Sequence, residues 1–327
     1  MRLFLELSME CESLARAEAA ATAESLDHRP EVVHAEPGVL VLDTGADPRI
    51  LASRLGLCHH VSEWLSTCAF GEVEVSAARI DVPGPIRVRS TKVGEVSVDL
   101  AGVSRRVGSV MGKGKGVDLR SPVTDIRIVF SRKAHISRLI ASIDRPAYER
   151  RKNRYLPFTY PASLHPKFAR AMVNLTMTRP RERLLDPFCG TGAIVAEASL
   201  SGLEAVGTDF SEKMIQGAEK NLAHVKAKAD FMLCDVGKIR EMVGPVDGIA
   251  TDPPYGRSTS TDGESIPDLY SRAFRAFSKV LDKGSRVVVV VPDKSLLESA
   301  SDFRLLQSHE LWVHRSLTRN FCVLERR

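Results

Sequence analysis

Two rhythms of apolar and polar residues run along this chain. Before about residue 140, short apolar stretches alternate with helix-spaced ones. Leu3–Leu7 and Val39–Leu42 read as strands, and the Glu/Ala-rich Cys11–Ser25 and the stretch Pro48–Leu57 as helices. This β-α-β-β-like order predicts a small ferredoxin-like α+β module over residues 1–60. A second α/β module is expected over 61–143. There Ala78–Val82, Val96–Val98, Val117–Leu119 and Ile126–Phe130 have strand character. Arg105–Met111 closes a helix that Gly112-Lys113-Gly114-Lys115-Gly116 must break.

A charged connector over 144–157 leads into a more regular pattern. Leu164, Phe168, Met172 and Leu175 fall on one helical face. Strand-like Arg183–Asp186, Ala205–Thr208, Asp230–Cys234, Val246–Thr251 and Arg286–Val291 follow, with helical stretches at Gly192–Ser201, Ser211–Val225 and Asp268–Leu281 between them. Glu310–His314 and Asn320–Leu324 close the chain, separated by Arg315–Arg319. The alternation predicts an α/β domain over 158–327: a mostly parallel, doubly wound, seven-stranded sheet with an antiparallel hairpin at one edge.

Composition narrows the class only a little. A chain of 327 residues, 43% hydrophobic and 27% charged, is expected to form about two soluble domains. Its longest aliphatic run, Val287–Val291, is far short of the ~20 residues that cross a bilayer. Glu6 and Glu10 interrupt any signal-type apolar core, so a cytoplasmic location is expected. The six cysteines (Cys11, Cys58, Cys68, Cys189, Cys234, Cys322) form no Cys-x-x-Cys pair, and neither disulfides nor a metal site are expected. The formal charge of +5 suits a polyanionic partner without selecting one.

The chemistry concentrates in two segments about 60 residues apart. Asp186-Pro187-Phe188-Cys189-Gly190-Thr191-Gly192 is a glycine turn between a strand and a helix, where backbone N–H groups face a ligand at close range. It is neither Gly-x-Gly-x-x-Gly nor a phosphate loop. An acidic residue at the entrance of a short turn suits a ligand with a cationic amino-acid tail, as S-adenosylmethionine has; a plain strand-to-helix turn is the alternative. Cys189 has no histidine near it in sequence and reads as a packing or backbone residue. Asp209, after the second strand, is placed to accept from ribose hydroxyls or to cap the next helix. By the same logic Asp235 reaches an adenine amine.

Thr251-Asp252-Pro253-Pro254-Tyr255-Gly256 sets a carboxylate, two residues without N–H and an aromatic ring at the end of an apolar strand. An exocyclic base amine is a poor nucleophile because its lone pair delocalises into the ring. Asp252 and the Pro253 carbonyl supply acceptors for its two protons, and Tyr255 a stacking face. Alignment against an already activated methyl group then provides much of the rate. The bland alternative is a rigid proline turn. Elsewhere, Lys113 and Lys115 on the glycine-rich break and Arg132 and Lys133 further on are candidates for phosphate contact, or ordinary loop-tip charges.

Together these two segments resemble the Rossmann-fold methyltransferases acting on exocyclic amines of nucleic-acid bases. Ser163–Leu175, which contains His165, is similar to the segment preceding the cofactor turn in the archaeal tRNA guanosine-10 N2-methyltransferases. Val117–Pro122 followed by Ile126–Ile128 resembles the end of a THUMP domain, an RNA-binding module. The resemblance covers most of the chain, most closely from 157 onward. It implies a monomeric enzyme adding one or two methyl groups to guanosine 10 of tRNA. Asp186, Pro187, Cys189, Gly190, Thr191, Gly192, Asp209, Phe210, Asp235 and Val236 would hold S-adenosylmethionine. Asp252, Pro253 and Tyr255 would hold the guanine, with His165 and the four basic residues on the RNA. The chain departs from the family at Phe158-Thr159-Tyr160-Pro161-Ala162-Ser163, where Phe-x-His-Pro-Gly-Ser is expected. An rRNA guanine or DNA amino-methyltransferase, and a non-catalytic RNA-binding protein, are the alternatives.

Overall fold

The computed structural model describes residues 1–27, 29–161, 163–255, 263–314 and 317–327. The chain divides into two compact units, one of Met1–Ser53 with Cys58–Ile143, the other of Arg54–Leu57 with Asp144–Arg327. No helix among the described residues is long and apolar enough to cross a membrane.

The first unit runs β1 (Arg2–Leu7), α1 (Glu12–Leu26), β2 (Glu31–Glu36), β3 (Val39–Asp43), α2 (Pro48–Arg54), β4 (Cys58–Cys68), α3 (Val73–Ala78), β5 (Ile86–Lys92), α4 (Leu100–Met111), β6 (Thr124–Phe130) and β7 (Ala134–Ser142). Its seven strands lie in the order β2-β3-β1-β4-β7-β6-β5. β1 pairs antiparallel with β3 and β4, and β2 with β3, which is the ferredoxin-like arrangement. β4 continues past residue 60 and pairs antiparallel with β7, so residues 1–143 share one sheet. β5 and β6 are parallel, joined through α4. Val103, Val107 and Met111 of α4, spaced by four, pack on Val88, Ile126 and Ile128. Asp99 caps the helix by accepting from Gly102 N at 2.9 Å.

Three expected strands are absent here. Ala78–Val82 is the end of α3 and a loop, because Pro83-Gly84-Pro85 delays the ladder until Ile86. Val96–Val98 is unpaired chain whose two valines pack against the core before the Asp99 cap. Val117–Leu119 makes a single bridge, Val117 to Ile86, and Asp118 then turns the chain by accepting from the Arg120 and Ser121 amides. In their place stand β2, β4, β5 and β7, which carry many polar residues. A hydrogen-bonded chain explains part of that polarity. Trp64 Nε1 donates to Thr67 Oγ1 at 3.0 Å, Thr67 Oγ1 lies 2.8 Å from His135 Nδ1, and His135 Nε2 lies 2.6 Å from Glu36 Oε1. Glu36 Oε1 also accepts from the Arg132 and Lys133 amides.

The second unit continues with α5 (Arg145–Arg150), α6 (Pro166–Leu175), β8 (Arg183–Asp186), α7 (Ala193–Leu200), β9 (Glu204–Asp209), α8 (Glu212–His224), β10 (Asp230–Leu233), α9 (Ile239–Met242), β11 (Val246–Thr251), α10 (Ile266–Val280), β12 (Leu281–Val291), β13 (Phe303–His314) and β14 (Leu317–Arg326). The strand order is β10-β9-β8-β11-β12-β14-β13. The pairs from β10 to β12 are parallel, and β14 is antiparallel to both β12 and β13. Val287–Val291 is fully buried, as a strand covered on both faces requires. Residues 315–316 of the expected hairpin connection lie outside the described residues. The charged stretch after Ile143 is folded: Asp144 caps α5, Tyr148 donates its hydroxyl to Leu55 O at 3.0 Å, and Arg151 and Arg170 both pair with the buried Glu197.

Strand order reverses between β8 and β11, with β9 and β10 to one side and β12 to the other. In an open α/β sheet the crevice beyond the carboxyl ends at such a reversal is where ligands bind.

Candidate active site

β8 ends on Asp186, whose carboxyl is 1% exposed. Its Oδ1 accepts from Thr251 Oγ1 at 2.7 Å and Phe188 N at 3.2 Å. Burial pushes this carboxyl up to about 7, and the nearby Asp252 and Asp209 add to the rise. The chain then turns through Gly190 (φ 49°) and Gly192 (φ 82°), both left-handed. Gly192 also permits a close approach to α8: a Cβ there would sit 2.9 Å from Leu222 Cδ1 and 3.1 Å from Ala218 Cβ. Cys189 is buried, and burial drives its thiol well above its ordinary range. Asp209, ending β9, accepts from Gly190 N at 3.0 Å and Ser211 N at 2.9 Å, so it braces the turn as well as starting α8.

β11 delivers the second segment to the same place. Asp252 follows Thr251, the residue that bonds Asp186. Tyr255 donates its hydroxyl to Asp252 Oδ1. The Arg319 guanidinium, from β14, lies 4.0 Å from Asp252 Oδ2. Burial raises the Asp252 carboxyl, while the Arg319 charge and the Tyr255 hydroxyl pull it back down. Gly256 lies outside the described residues.

A cavity of about 440 Å³ opens where these ends meet, lined by Asp186, Gly190, Thr191, Asp209, Asp252, Pro253 and Tyr255 together with Tyr160, Ser163 and Lys213. A second, of about 410 Å³, shares Phe188, Phe210 and Pro254 with it and reaches Asp235 and Val236. There Asp235 accepts from Gly237 N at 2.9 Å and pairs with Arg272, which also holds Glu264. The first cavity offers carboxylates and a glycine turn, the second apolar walls from Phe188, Phe210 and Leu269 beside the charged Asp235, Glu264 and Arg272. A nucleoside with an amino-acid tail needs both.

Asp186, Pro187, Cys189, Gly190, Thr191, Asp209, Phe210, Asp235 and Val236 all line one of these two cavities. Gly192 supports them from behind. His165 stands elsewhere: its Nδ1 caps α6 by accepting from Lys167 N at 3.2 Å, and its Nε2 faces Glu149 at 3.2 Å. Its neighbours Ser163 and Leu164 are the ones at the cavity. The four basic residues belong to the first unit and do not form one patch. Lys115 pairs with Asp81 and donates to Val82 O near the start of β6, with Lys113 exposed beside it. Arg132 and Lys133 sit past the other end of β6, about 20 Å away at the usual strand rise. In the same unit His34, Glu36 and His135 gather with ligand atoms within 4.8 Å of one another; the hydrogen bonds to Glu36 already occupy that carboxylate.

Sequence reasoning did not find Asn221, Ser163, Tyr160, Arg272 or Arg319. Asn221, 2% exposed, holds both polar groups of Phe158: its Nδ2 donates to Phe158 O at 2.9 Å, and its Oδ1 accepts from Phe158 N at 2.9 Å. The same Nδ2 donates to Thr191 O at 3.0 Å, and Ser163 Oγ lies 3.0 Å from Thr191 Oγ1. Phe158 and Ser163 are thereby tied to the glycine turn. Gly217, four residues before Asn221 in α8, was the available signal, since a helix-interior glycine usually marks a close approach. Here the Phe158 ring lies where its Cβ would be.

The model of the RMKL-like methyltransferase domain family matches residues 153–320. The tRNA (guanine(10)-N2)-dimethyltransferase of Methanothermobacter thermautotrophicus is 33% identical over 337 residues, covering all of both chains. The protein of the same description from Pyrococcus abyssi is 34% identical over 75% of each chain. Among solved structures, TrmN from Thermus thermophilus matches over all of both chains with a TM-score of 0.59 and 23% identity. SMU.472 complexed with SAH covers 100% of this chain and 98% of its own, with a TM-score of 0.55 and 13% identity. Both share the fold. Asp186 and Asp252 at the ends of two neighbouring strands, a family match across the unit that bears them and a full-length relative agree: the chain belongs to the S-adenosylmethionine-dependent, RMKL-like methyltransferase family.

Proposed function

We propose that this chain methylates the exocyclic N2 of guanosine 10 in tRNA, adding one methyl group and then a second. The observation that carries the reading is the meeting of Asp252, Pro253 and Tyr255 with Asp186, Gly190 and Asp209 on one cavity. The names of the relatives support the guanine and the tRNA position.

S-adenosylmethionine supplies a sulfonium-activated methyl group. In this reading Asp186 faces its cationic amino group and the Gly190–Gly192 turn its tail. Asp209 accepts from the ribose, and Asp235 and Val236 border the adenine. Asp252 and the Pro253 carbonyl accept the two protons of the guanine amine, which turns the nitrogen lone pair toward the methyl carbon; Tyr255 covers the ring. The new C–N bond forms as the S–CH3 pair returns to sulfur. The nitrogen then sheds one proton, which Asp252 is placed to receive. The reading is of a monomer that works without a metal. A stem position such as 10 requires the base to leave its stack. The first unit is read as the RNA-gripping half, with Lys113, Lys115, Arg132 and Lys133 as separate contacts.

Methylation of unmodified tRNA transcripts, with the product nucleoside identified and mapped, tests this. N2-methylguanosine at position 10 is expected; methylated adenine or cytosine, or activity on rRNA alone, sinks it. Asp252→Ala is expected to cut transfer by about 100-fold or more while cofactor affinity stays within a few-fold.

A further inference from the structure

We infer that Arg319 is a positioning residue for the amine-accepting carboxylate: brought by the reversed strand β14, its guanidinium keeps Asp252 ionised while leaving one carboxylate oxygen open to the substrate. This rests on the reading above, in which Asp252 receives the amine.

Strand direction explains the meeting. Asp252 follows the carboxyl end of β11, a parallel strand. β14 runs the other way, so its first residues lie beside the last of β12: Asn320 is opposite Val291, and its Nδ2 donates to Val291 O at 3.0 Å. Arg319, one residue earlier, therefore arrives at the end of the sheet where the parallel strands present their ligands. A residue late in a parallel strand would reach the same end; one early in it would not.

Asp252 needs a counter-charge more than most carboxylates. Its side chain is only 15% exposed, so water offsets little of its charge. Among the described residues four groups face it. Tyr255 donates to Oδ1, and Asp186 approaches from β8 with a like charge. Tyr270, from α10, is buried and feels the Asp252 charge; its hydroxyl has no hydrogen-bond partner among the described residues. Arg319 is the cation acting on it, itself only 11% exposed. Burial with a like charge nearby would favour the neutral carboxylic acid, and the Arg319 charge and the Tyr255 hydrogen bond work against it. A neutral acid carries a proton on one oxygen and accepts poorly from an amine.

The separation matters as much as the sign. At 4.0 Å the guanidinium is near enough to stabilise the charge and too far to be a hydrogen bond. Oδ1 is taken by Tyr255. Oδ2 is electrostatically supported, and its lone pairs are not consumed by Arg319. Among the described residues nothing else takes that oxygen, and it is the one offered to an N–H of the base.

Two measurements test this on the full chain. The first is a 13C-carboxyl NMR titration of the empty protein, wild type against Arg319→Met and Arg319→Lys. Removing the cation is expected to raise the Asp252 titration midpoint by one unit or more, on the usual effect of an opposite charge at this range, and lysine to restore most of it. The second is single-turnover transfer to tRNA across pH. The acidic limb of Arg319→Met is expected to move up by the same amount, with a loss of about tenfold near neutrality and unchanged cofactor affinity. A midpoint and limb that stay at the wild-type positions overturn the proposal, as does a uniform loss at every pH. If Arg319→Met does not fold, Arg319→Gln is titrated in its place under the same criteria. A wild-type chain that makes no N2-methylguanosine would instead count against the functional reading, and the NMR result would stand apart from it.

Discussion

Asp186 shows how a single residue can serve a ligand at the expense of the empty fold. An ordinary aspartate titrates near 3.8, and this one is pushed up to about 7. The folded chain therefore binds more protons than the unfolded chain between those values, and stability from this group falls as pH rises through them. Above pH 7 the empty site holds a buried carboxylate whose cost a cationic ligand would relieve. Asp186→Asn keeps an acceptor for Thr251 and Phe188 without the charge. At pH 8 it is expected to stabilise the empty protein by about 1 kcal/mol or more, roughly 2–4 °C in Tm, while weakening cofactor binding. In the wild type, cofactor affinity should fall as pH drops below about 7, with proton release on binding, both measurable by calorimetry in buffers of different ionisation enthalpy. Equal affinity at pH 6 and 8 would exclude this role.

At the level of elements, α8 acts as the backing plate of the site. Gly192 packs on it, Asn221 bonds the stretch before α6, and Gly217 receives the Phe158 ring. An alanine in an exposed helix interior is worth up to ~1 kcal/mol over glycine. At position 217 the sign should reverse, because the added methyl displaces Phe158; overpacking costs about 1–3 kcal/mol. Gly217→Ala should therefore lower stability in urea titration and loosen cofactor binding, because Phe158 and Thr191 hang from the same Asn221. A more stable, fully active variant would mean that Phe158 moves freely.

Elements also differ in how plainly the sequence announces them. β8, β9 and β11 lie between helices and β12 follows one, and their apolar runs read plainly as strands. β2, β4 and β7 carry histidines, glutamates and serines whose partners are far away in sequence. Glu36 with His135 and Arg138 with Glu63 are examples, and no local pattern reveals such pairs. Asp186, Asp209 and Asp252 were legible because each ends or follows a strand. Arg319 and Asn221 were not, since their roles depend on strand direction and helix facing, which only the assembled sheet sets.

On the scale of the whole molecule, acid is expected to weaken the first unit through its buried histidines. His60 is lowered to about 4, chiefly by burial with the Arg127 charge adding, and burial also lowers His135. Both have folded values below the unfolded ~6.5, so the unfolded chain takes up more protons and stability is lost as pH falls from about 6.5 toward 4. Glu36 is lowered despite its burial, by the hydrogen bond and charge of His135, and loses its contribution in the same direction. Amide protection in β4 and β7, corrected for intrinsic exchange, is expected to drop across that window. Protection independent of pH would show that these histidines are relaxed by rearrangement.

The reversed strand β14 has a consequence in time. It lies between β12 and β13 and pairs with both, so β13 has no neighbour, and β12 one open edge, until β14 is in place. Arg319 arrives in the same step. A nascent chain that has already made its glycine turn and its Asp252 segment still has an unfinished sheet and an unsupported carboxylate. Closing the sheet and arming the site therefore wait on the same strand, which follows both segments in the chain.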